Sequence, residues 1–411
     1  MKILIVNKFL YNAGGDALSS LATGRLLSSK GHDVIYWGMK HPLNPEYPYQ
    51  DYFVPYADLV NPGGIAGRIK IAFNILYSLD AKKKMDDLIK IVKPDIIHLN
   101  NFAHQISPSI LHAIRKYNIP VVMTMHDYKM VCASYRLISG GKVCRLCKDG
   151  KFYNCFTQRC VKNSALKSLV NEAEMYLHHI ILHIYDYIDV FIAPSRFLKS
   201  TVEDMGFKGK IVYLPNFVFM EDFHPDFTWK EESVVYFGRL SEEKGLLTLL
   251  RAMKDIKNIT LKIIGEGPMR SSLEHEVKGL NLQNIRFLGY KMGKELKEEI
   301  RKSMFTILPS EWCENNPRSI MEGFALGKPV IGARIGGIAE LVKEGFTGLA
   351  FEPGDTNDLV AKIRYLITNP GKIMEMGKNA VVFVREELNS EKHYEKLIEL
   401  YNEAISKHET R

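Results

Sequence analysis

The sequence predicts an α/β protein made of two doubly wound parallel-sheet domains facing each other across a cleft. Three observations predict it. At 411 residues the chain exceeds one ordinary core, and domains of roughly 150–200 residues are the natural division. Short apolar runs alternate with helix-like stretches, the pattern of right-handed βαβ crossovers and of a sheet covered on both faces. The alternation lapses once, at the Pro- and aromatic-rich "YLPNFVFMEDFHPDF", and then begins again.

In the first half "KILIVN", "HDVIYWG", "PDIIHLN", "PVVMTMH" and "IDVFIAPS" read as strands, with "DALSSLATGRLLSSK" and "SILHAIRKYN" as helices between them. In the second half the strands are "SVVYFGRL", "TLKIIGEG", "IRFLGY", "FTILPS", "KPVIGAR" and "GLAFEPG". Helices are expected at "LLTLLRAM", "MRSSLEHEVKGL" and "GKELKEEIRKS", and after Asn316. The last stretch, "SEKHYEKLIELYNEAISKHE", has helical periodicity and is expected to pack back across both domains. The expected boundaries are 1–215 for the first domain, with a cysteine-rich insertion at about 130–164, then 216–389 for the second and 390–411 for the closing helix.

Composition narrows the class. With 46% hydrophobic and 25% charged residues the chain reads as globular, and no apolar run approaches the roughly 18–20 residues of a spanning helix. "MKILIVNKFL" is interrupted by Asn7 and Lys8 and lacks a small-residue cleavage site. It therefore reads as a buried strand, and a cytoplasmic location is expected. The net charge of +8 suits acidic ligands or an anionic membrane surface and is too diffuse to imply nucleic acid.

Ligands of doubly wound sheets bind beyond the carboxyl ends of the strands, so the loops there hold the candidate chemistry. "NAGGDALSS" offers Gly14 and Gly15 at a helix start, where backbone can approach a ligand closely. "FGRLSEEKG" offers Arg239 and Lys244, a fork and a point charge suited to a diphosphate. "IIGEGPMR" places Gly265 and Gly267 at a strand end but falls short of a dinucleotide fingerprint. "MHDYKM" aims His126 into the cleft, beside Asp127. In "WCENNPRSIMEGFALGKPVI", Asn316 is suited to an N-cap, Pro317 to the first helical position, and Gly327 with Pro329 to a stop. A helix is expected from about Pro317 to Leu326, with Glu314 before its mouth, Glu322 inside it, and free first-turn N–H groups between. Carboxylates beside an anion site suit a ligand carrying hydroxyls and phosphates together.

Taken with "PDIIH", "APSRF", "GARIGGIAELV" and "GFTGLAF", these blocks resemble the retaining, nucleotide-sugar-dependent glycosyltransferases of the GT-B fold, the family 4-like, group 1 enzymes. The likeness covers nearly the whole chain, and the E-x7-E spacing followed by "GKPVIG" and "GGIAE" is its most specific part. The resemblance implies that Glu322 holds the ribose hydroxyls and Glu314 those of the donor sugar. Arg239 and Lys244 would neutralise the diphosphate, with Gly14, Gly15, Gly265, Gly267 and the mouth formed by Asn315, Asn316, Pro317 and Arg318 completing the donor site. Tyr290 would offer a backbone contact to the base, and His126 would face the oxocarbenium-like transition state. The expected reaction moves a hexose-type sugar from a UDP- or GDP-sugar to a saccharide or lipid-linked saccharide, with retention and without a catalytic metal. That is logical because preorganised cations answer the charge left on the diphosphate. A GT-B epimerase, a phosphorylase and a non-catalytic sugar-nucleotide-binding scaffold are the alternatives.

Directly after "HDY" come Cys144 and Cys147, spaced C-x2-C, then Cys155 and Cys160, spaced C-x4-C. Four thiolates could close a structural zinc site. Free or disulfide-forming thiols and an iron–sulfur cluster are the other readings, with Cys132 as a spare ligand. Cys-bearing insertions of this kind occur in one branch of the resembled family. Finally, Ala66 to Lys93 has apolar residues at helical spacing with Arg68, Lys70 and Lys82 to Lys84. It reads either as an ordinary helix on the sheet or as a peripheral contact with the inner face of a membrane.

Overall fold

A computed structural model of the chain describes residues 1–58 and 63–409, apart from the side chain of Ile65. It divides into two compact units, Met1–Leu214 with Tyr394–Arg411, and Pro215–His393. Each is an α/β unit on a six-stranded, all-parallel sheet.

In the first unit the sheet strands are β1 (Lys2–Val6), β2 (Asp33–Trp37), β3 (Ile96–Leu99) and β4 (Val121–Thr124). A two-stranded hairpin of β5 (Ile138–Ser139) and β6 (Lys142–Val143) interrupts them before β7 (Val190–Ala193) and β8 (Ile211–Tyr213). The sheet order is β2-β1-β3-β4-β7-β8. Strands β3, β4 and β7 are buried along their whole length, which their runs of branched apolar residues require. One face is closed by the last helix, Ser390–Glu409, whose Leu397, Leu400, Tyr401 and Ala404 join Ile3, Ile5, Ile96 and Val122 in one core. His98 ties that helix to the sheet, bonded to the Tyr401 hydroxyl at 2.6 Å and to Thr124 Oγ1 at 2.8 Å.

The second unit contains β9 (Ser233–Phe237), β10 (Thr260–Ile264), β11 (Ile285–Gly289), β12 (Phe305–Leu308), β13 (Val330–Ala333) and β14 (Gly348–Phe351). Their order, β11-β10-β9-β12-β13-β14, is that of a Rossmann sheet. The doubly wound α/β fold read from the sequence is therefore present in both units.

Several local expectations are corrected. The stretch 66–93 forms two helices, Gly64–Leu76 and Leu79–Val92, because Tyr77 is extended and Ser78 caps the second by accepting the Ala81 N–H at 3.2 Å. The helix expected from Pro317 to Leu326 runs Arg318–Ala325, and Asn316 does not cap it. The Asn316 side-chain oxygen instead accepts the Asn216 N–H at 3.1 Å, and Pro317 takes the cap position with extended backbone.

Candidate active site

In the second sheet the strand order reverses between β9 and β12, so the loops leaving those strands part and open a crevice. The β9 loop carries Arg239 and Lys244 and the β12 loop carries Glu314. The two loops hold each other directly. Gly245 has φ +66, and a Cβ there would lie 1.9 Å from the Pro309 carbonyl oxygen, so only glycine lets the two loops touch. The Glu311 N–H donates to the Glu243 carbonyl at 2.9 Å, and Thr248 Oγ1 donates to Glu311 at 2.6 Å.

At the centre Lys244 Nζ donates to Glu314 Oε1, and Ser310 Oγ donates to the same oxygen at 2.7 Å. Glu314 is only 7% exposed, so its charge depends on these two donors. Its carbonyl accepts the Gly337 N–H at 2.6 Å, and Gly336, at φ +56, passes so close that a Cβ would lie 2.5 Å from that oxygen. The "GGIAE" block is thus a clasp on Glu314. Arg239 is exposed, with its backbone held by the Tyr236 hydroxyl donating to its carbonyl at 2.7 Å. On the helix Arg318–Ala325, Arg318 Nε lies 3.4 Å from Glu322 Oε1. Burial raises the Glu322 pKa, and Arg318 opposes the rise. Among the described residues Arg318 Nη1 is buried without a hydrogen-bond partner.

The glycines divide into two kinds. A Cβ on Gly265, at φ +138, would meet the Gly238 carbonyl oxygen at 1.9 Å, and one on Gly267 would meet the Leu240 carbonyl oxygen at 2.3 Å. Packing against the β9 loop therefore requires both, whatever binds nearby. Gly15 has open space around it and Gly14 only an ordinary contact with Asp16, so the first unit's own packing demands neither. Tyr290, just beyond β11, is 56% exposed, while Asn315 and Pro317 are half-buried in the β12 loop.

In the first unit the order reverses between β1 and β3, and the loops there gather a polar group that sequence reading mostly missed. His126, beyond β4, has Nε2 2.9 Å from Asn100 Oδ1. Asn101 donates from Nδ2 to Asp16 at 2.9 Å and from its backbone to Asn7 Oδ1 at 3.0 Å. Burial lowers the His126 pKa, with Asp16 and Asp127 opposing. Burial resists ionisation of Asp16, but His126, Lys8 and Asn101 outweigh it and hold the carboxyl below its usual range. The signal for Asn100 and Asn101 was their place directly after "IIHL"; for Asp16 it was "GGDA". Behind them Lys129 Nζ meets the fully buried Glu174 at 2.6 Å, with His104 Nε2 3.1 Å from the same oxygen. That pair anchors the "HDYK" segment to the helix Ala165–Met175.

The zinc expectation finds no support. Among the described residues no group of three or more His, Cys, Asp or Glu side chains is placed to hold a metal ion. Cys144, Cys147, Cys155 and Cys160, with Cys132, line one cavity of about 10 Å³ as free thiols. Two of them engage each other: the Cys155–Cys160 hydrogen bond pushes Cys155 far up and draws Cys160 down to about 7. Burial pushes Cys147 up to about 12, so its neutral thiol dominates near neutral pH.

Two sheets of this topology, with cations and carboxylates at a switch point, define the class of GT-B glycosyltransferases. Residues 13–221 match the family described as Glycosyltransferase Family 4, and residues 220–383 match Glycosyl transferases group 1. The chain belongs to glycosyltransferase family 4. It is 24% identical over 401 residues to the N-acetyl-alpha-D-glucosaminyl L-malate synthase of Bacillus anthracis, covering 95% of this chain and 94% of that protein. It is 31% identical over 198 residues to an uncharacterized glycosyltransferase of Methanocaldococcus jannaschii. That match spans 48% of this chain and only 55% of the relative's length. In fold it is similar to sucrose-phosphate synthase from Thermosynechococcus elongatus, with TM-score 0.75, 19% identity and 99% of both chains covered. Anabaena HepE in complex with UDP-glucose aligns with TM-score 0.69 and 16% identity over 98% of this chain and 100% of that one.

Proposed function

We propose that the chain transfers a hexose-type sugar, with retention, from a UDP- or GDP-sugar to a saccharide or lipid-linked saccharide acceptor. The observation that carries this reading is the Lys244–Glu314–Ser310 cluster at the switch point of the second sheet, with Arg239 exposed beside it. Lys244 and Arg239 stabilise the charge that develops on the departing diphosphate, the work that a divalent ion does elsewhere. Glu314 holds donor-sugar hydroxyls through the oxygen that Lys244 leaves available. Glu322 receives the ribose hydroxyls, and the buried Nη1 of Arg318 supplies a donor at the same mouth.

His126, oriented by Asn100, serves the transferring sugar, where a neutral imidazole near Asp16 can stabilise positive character at the anomeric carbon. The reaction forms a bond from the acceptor oxygen to that carbon and breaks its bond to the phosphate oxygen. The departing diphosphate takes the acceptor's proton, so no hydrolase-type carboxylate pair is required. Anabaena HepE, solved in complex with UDP-glucose, supports a uridine donor as the first to test.

The experiment is the thermal midpoint with UDP, GDP, dTDP and ADP, followed by turnover with sugars of whichever nucleotide binds, with and without EDTA. Saturation at about a hundred times Kd adds about 2.7 kcal/mol and raises the midpoint by a few degrees. Binding without turnover across donors and acceptors would favour a scaffold instead. Normal nucleotide binding by a folded Glu322→Gln variant would overturn the ribose assignment.

A further inference from the structure

The helix Ala165–Met175 of the first unit is amphipathic in the wrong sense for a surface helix. It buries Ser168, Asn171 and Glu174, with Met175 at its end, and turns Leu166 and Leu169 to solvent, Leu166 at 71% exposure. A surface helix ordinarily does the reverse. The apolar stripe continues through the wider turn Tyr176–Ile181, where Ile181 is 68% exposed.

The cysteine-rich insertion extends the same face. It folds its thiols inward and leaves Leu146, Tyr153 and Phe156 outside. Contacts join the insertion to the turn. Asn154 Nδ2 donates to the Leu146 carbonyl at 2.8 Å, the Tyr153 N–H donates to the Tyr176 hydroxyl at 3.3 Å, and a Cβ on Gly150 would lie 3.9 Å from Ile180 Cδ1. On the neighbouring helix Gly64–Leu76, tied in by His178 Nε2 at 2.7 Å from the Leu76 carbonyl, Ile69 and Phe73 are exposed one turn apart. A contiguous apolar surface of this kind marks an interaction site.

Its charge says what kind. Residues 142–167 contain seven Lys and Arg against one Asp. Lys142, Arg145, Lys148, Lys151, Arg159 and Lys167 are all exposed among the apolar side chains. A second copy of a chain of net charge +8 would set these cations against their own kind. Leucine, tyrosine and phenylalanine with long cationic side chains between them are instead the residue types of the membrane interface, apolar parts in the headgroup boundary and cations on lipid phosphates.

We propose that this face, built from the cysteine-rich insertion and the helix after it, docks the protein on an anionic lipid bilayer. The proposal is independent of the transferase reading, because it concerns a surface and not the donor site. Lipid binding can fail while nucleotide binding holds, and the reverse.

The test is flotation of the full chain with phosphatidylcholine vesicles, with and without phosphatidylglycerol, at low and high salt. Binding is expected only where phosphatidylglycerol is present and should weaken with salt. Lys148→Gln/Lys151→Gln/Lys167→Gln should lower the partition coefficient about a hundredfold, since each cation near the surface is worth about a factor of five. Leu166→Asp/Leu169→Asp should abolish binding, and both variants should keep the wild-type midpoint. Equal binding to both vesicles, no binding to either, or folded variants that bind like wild type would overturn the proposal. So would a wild-type dimer in sedimentation that Leu166→Asp dissociates.

Discussion

Lys244 and Glu314 show how a single side chain can serve stability and chemistry together. Lys244→Met leaves a largely buried carboxylate with Ser310 as its one remaining described donor, and should cost about 1–3 kcal/mol in chemical denaturation. Given its proposed role on the diphosphate, loss of Lys244 should lower kcat about 100- to 1,000-fold in steady-state assays, well beyond what that stability loss explains. Glu174 gives the contrast, a charge with a structural role only. Glu174→Gln strands the buried Lys129 and should cost about 3–5 kcal/mol while donor binding persists. The same pair predicts a pH dependence. Burial disfavours the Glu174 anion, but His104 and Lys129 outweigh it, so the folded pKa lies below the ordinary 4.5. The carboxylate's contribution is complete above that value and is lost as the pH falls through the folded pKa. The difference in stability between wild type and Glu174→Gln should therefore hold above about pH 4.5, begin to shrink below it, and close only below the folded pKa, as acid unfolding curves would show.

Among the elements, the strands were the most legible. Runs such as "PDIIHLN" and "FTILPS" admit few readings because central parallel strands must be apolar on both faces. The edge strand β8 was not read, since three residues running into "LPNF" carry too little pattern. Asn316 was misread for a different reason. Its local sequence suits an N-cap, but a tertiary partner, the Asn216 N–H, claims the side chain. Asn316→Ala should accordingly cost about 1 kcal/mol through the freed Asn216 N–H and leave the amide exchange of the helix Arg318–Ala325 unchanged. The candidate site was legible where it lay in contiguous blocks. The Ser310 bond to Glu314 and the Asn100 bond to His126 were not, because pairing across separate loops leaves no local spacing to read. The glycines needed coordinates altogether. Gly265→Ala should destabilise the fold measurably, whereas Gly15→Ala should leave the midpoint unchanged and act, if at all, on ligand affinity.

At the scale of the whole molecule, the second unit is one uninterrupted stretch, residues 215–393, while the first is assembled from both ends of the chain. Leu397, Leu400, Tyr401 and Ala404 are core residues of a sheet whose first strand was made nearly four hundred residues earlier, and His98 finds its Tyr401 partner only then. A ribosome therefore completes the later unit before the earlier one. For most of synthesis the face of the first sheet that will hold Leu397 and Tyr401 has no cover, and an emerging chain must be protected from aggregation there until the helix Ser390–Glu409 has left the exit tunnel. A released fragment of residues 1–393 should show a protease-resistant second unit beside a first unit open to cleavage.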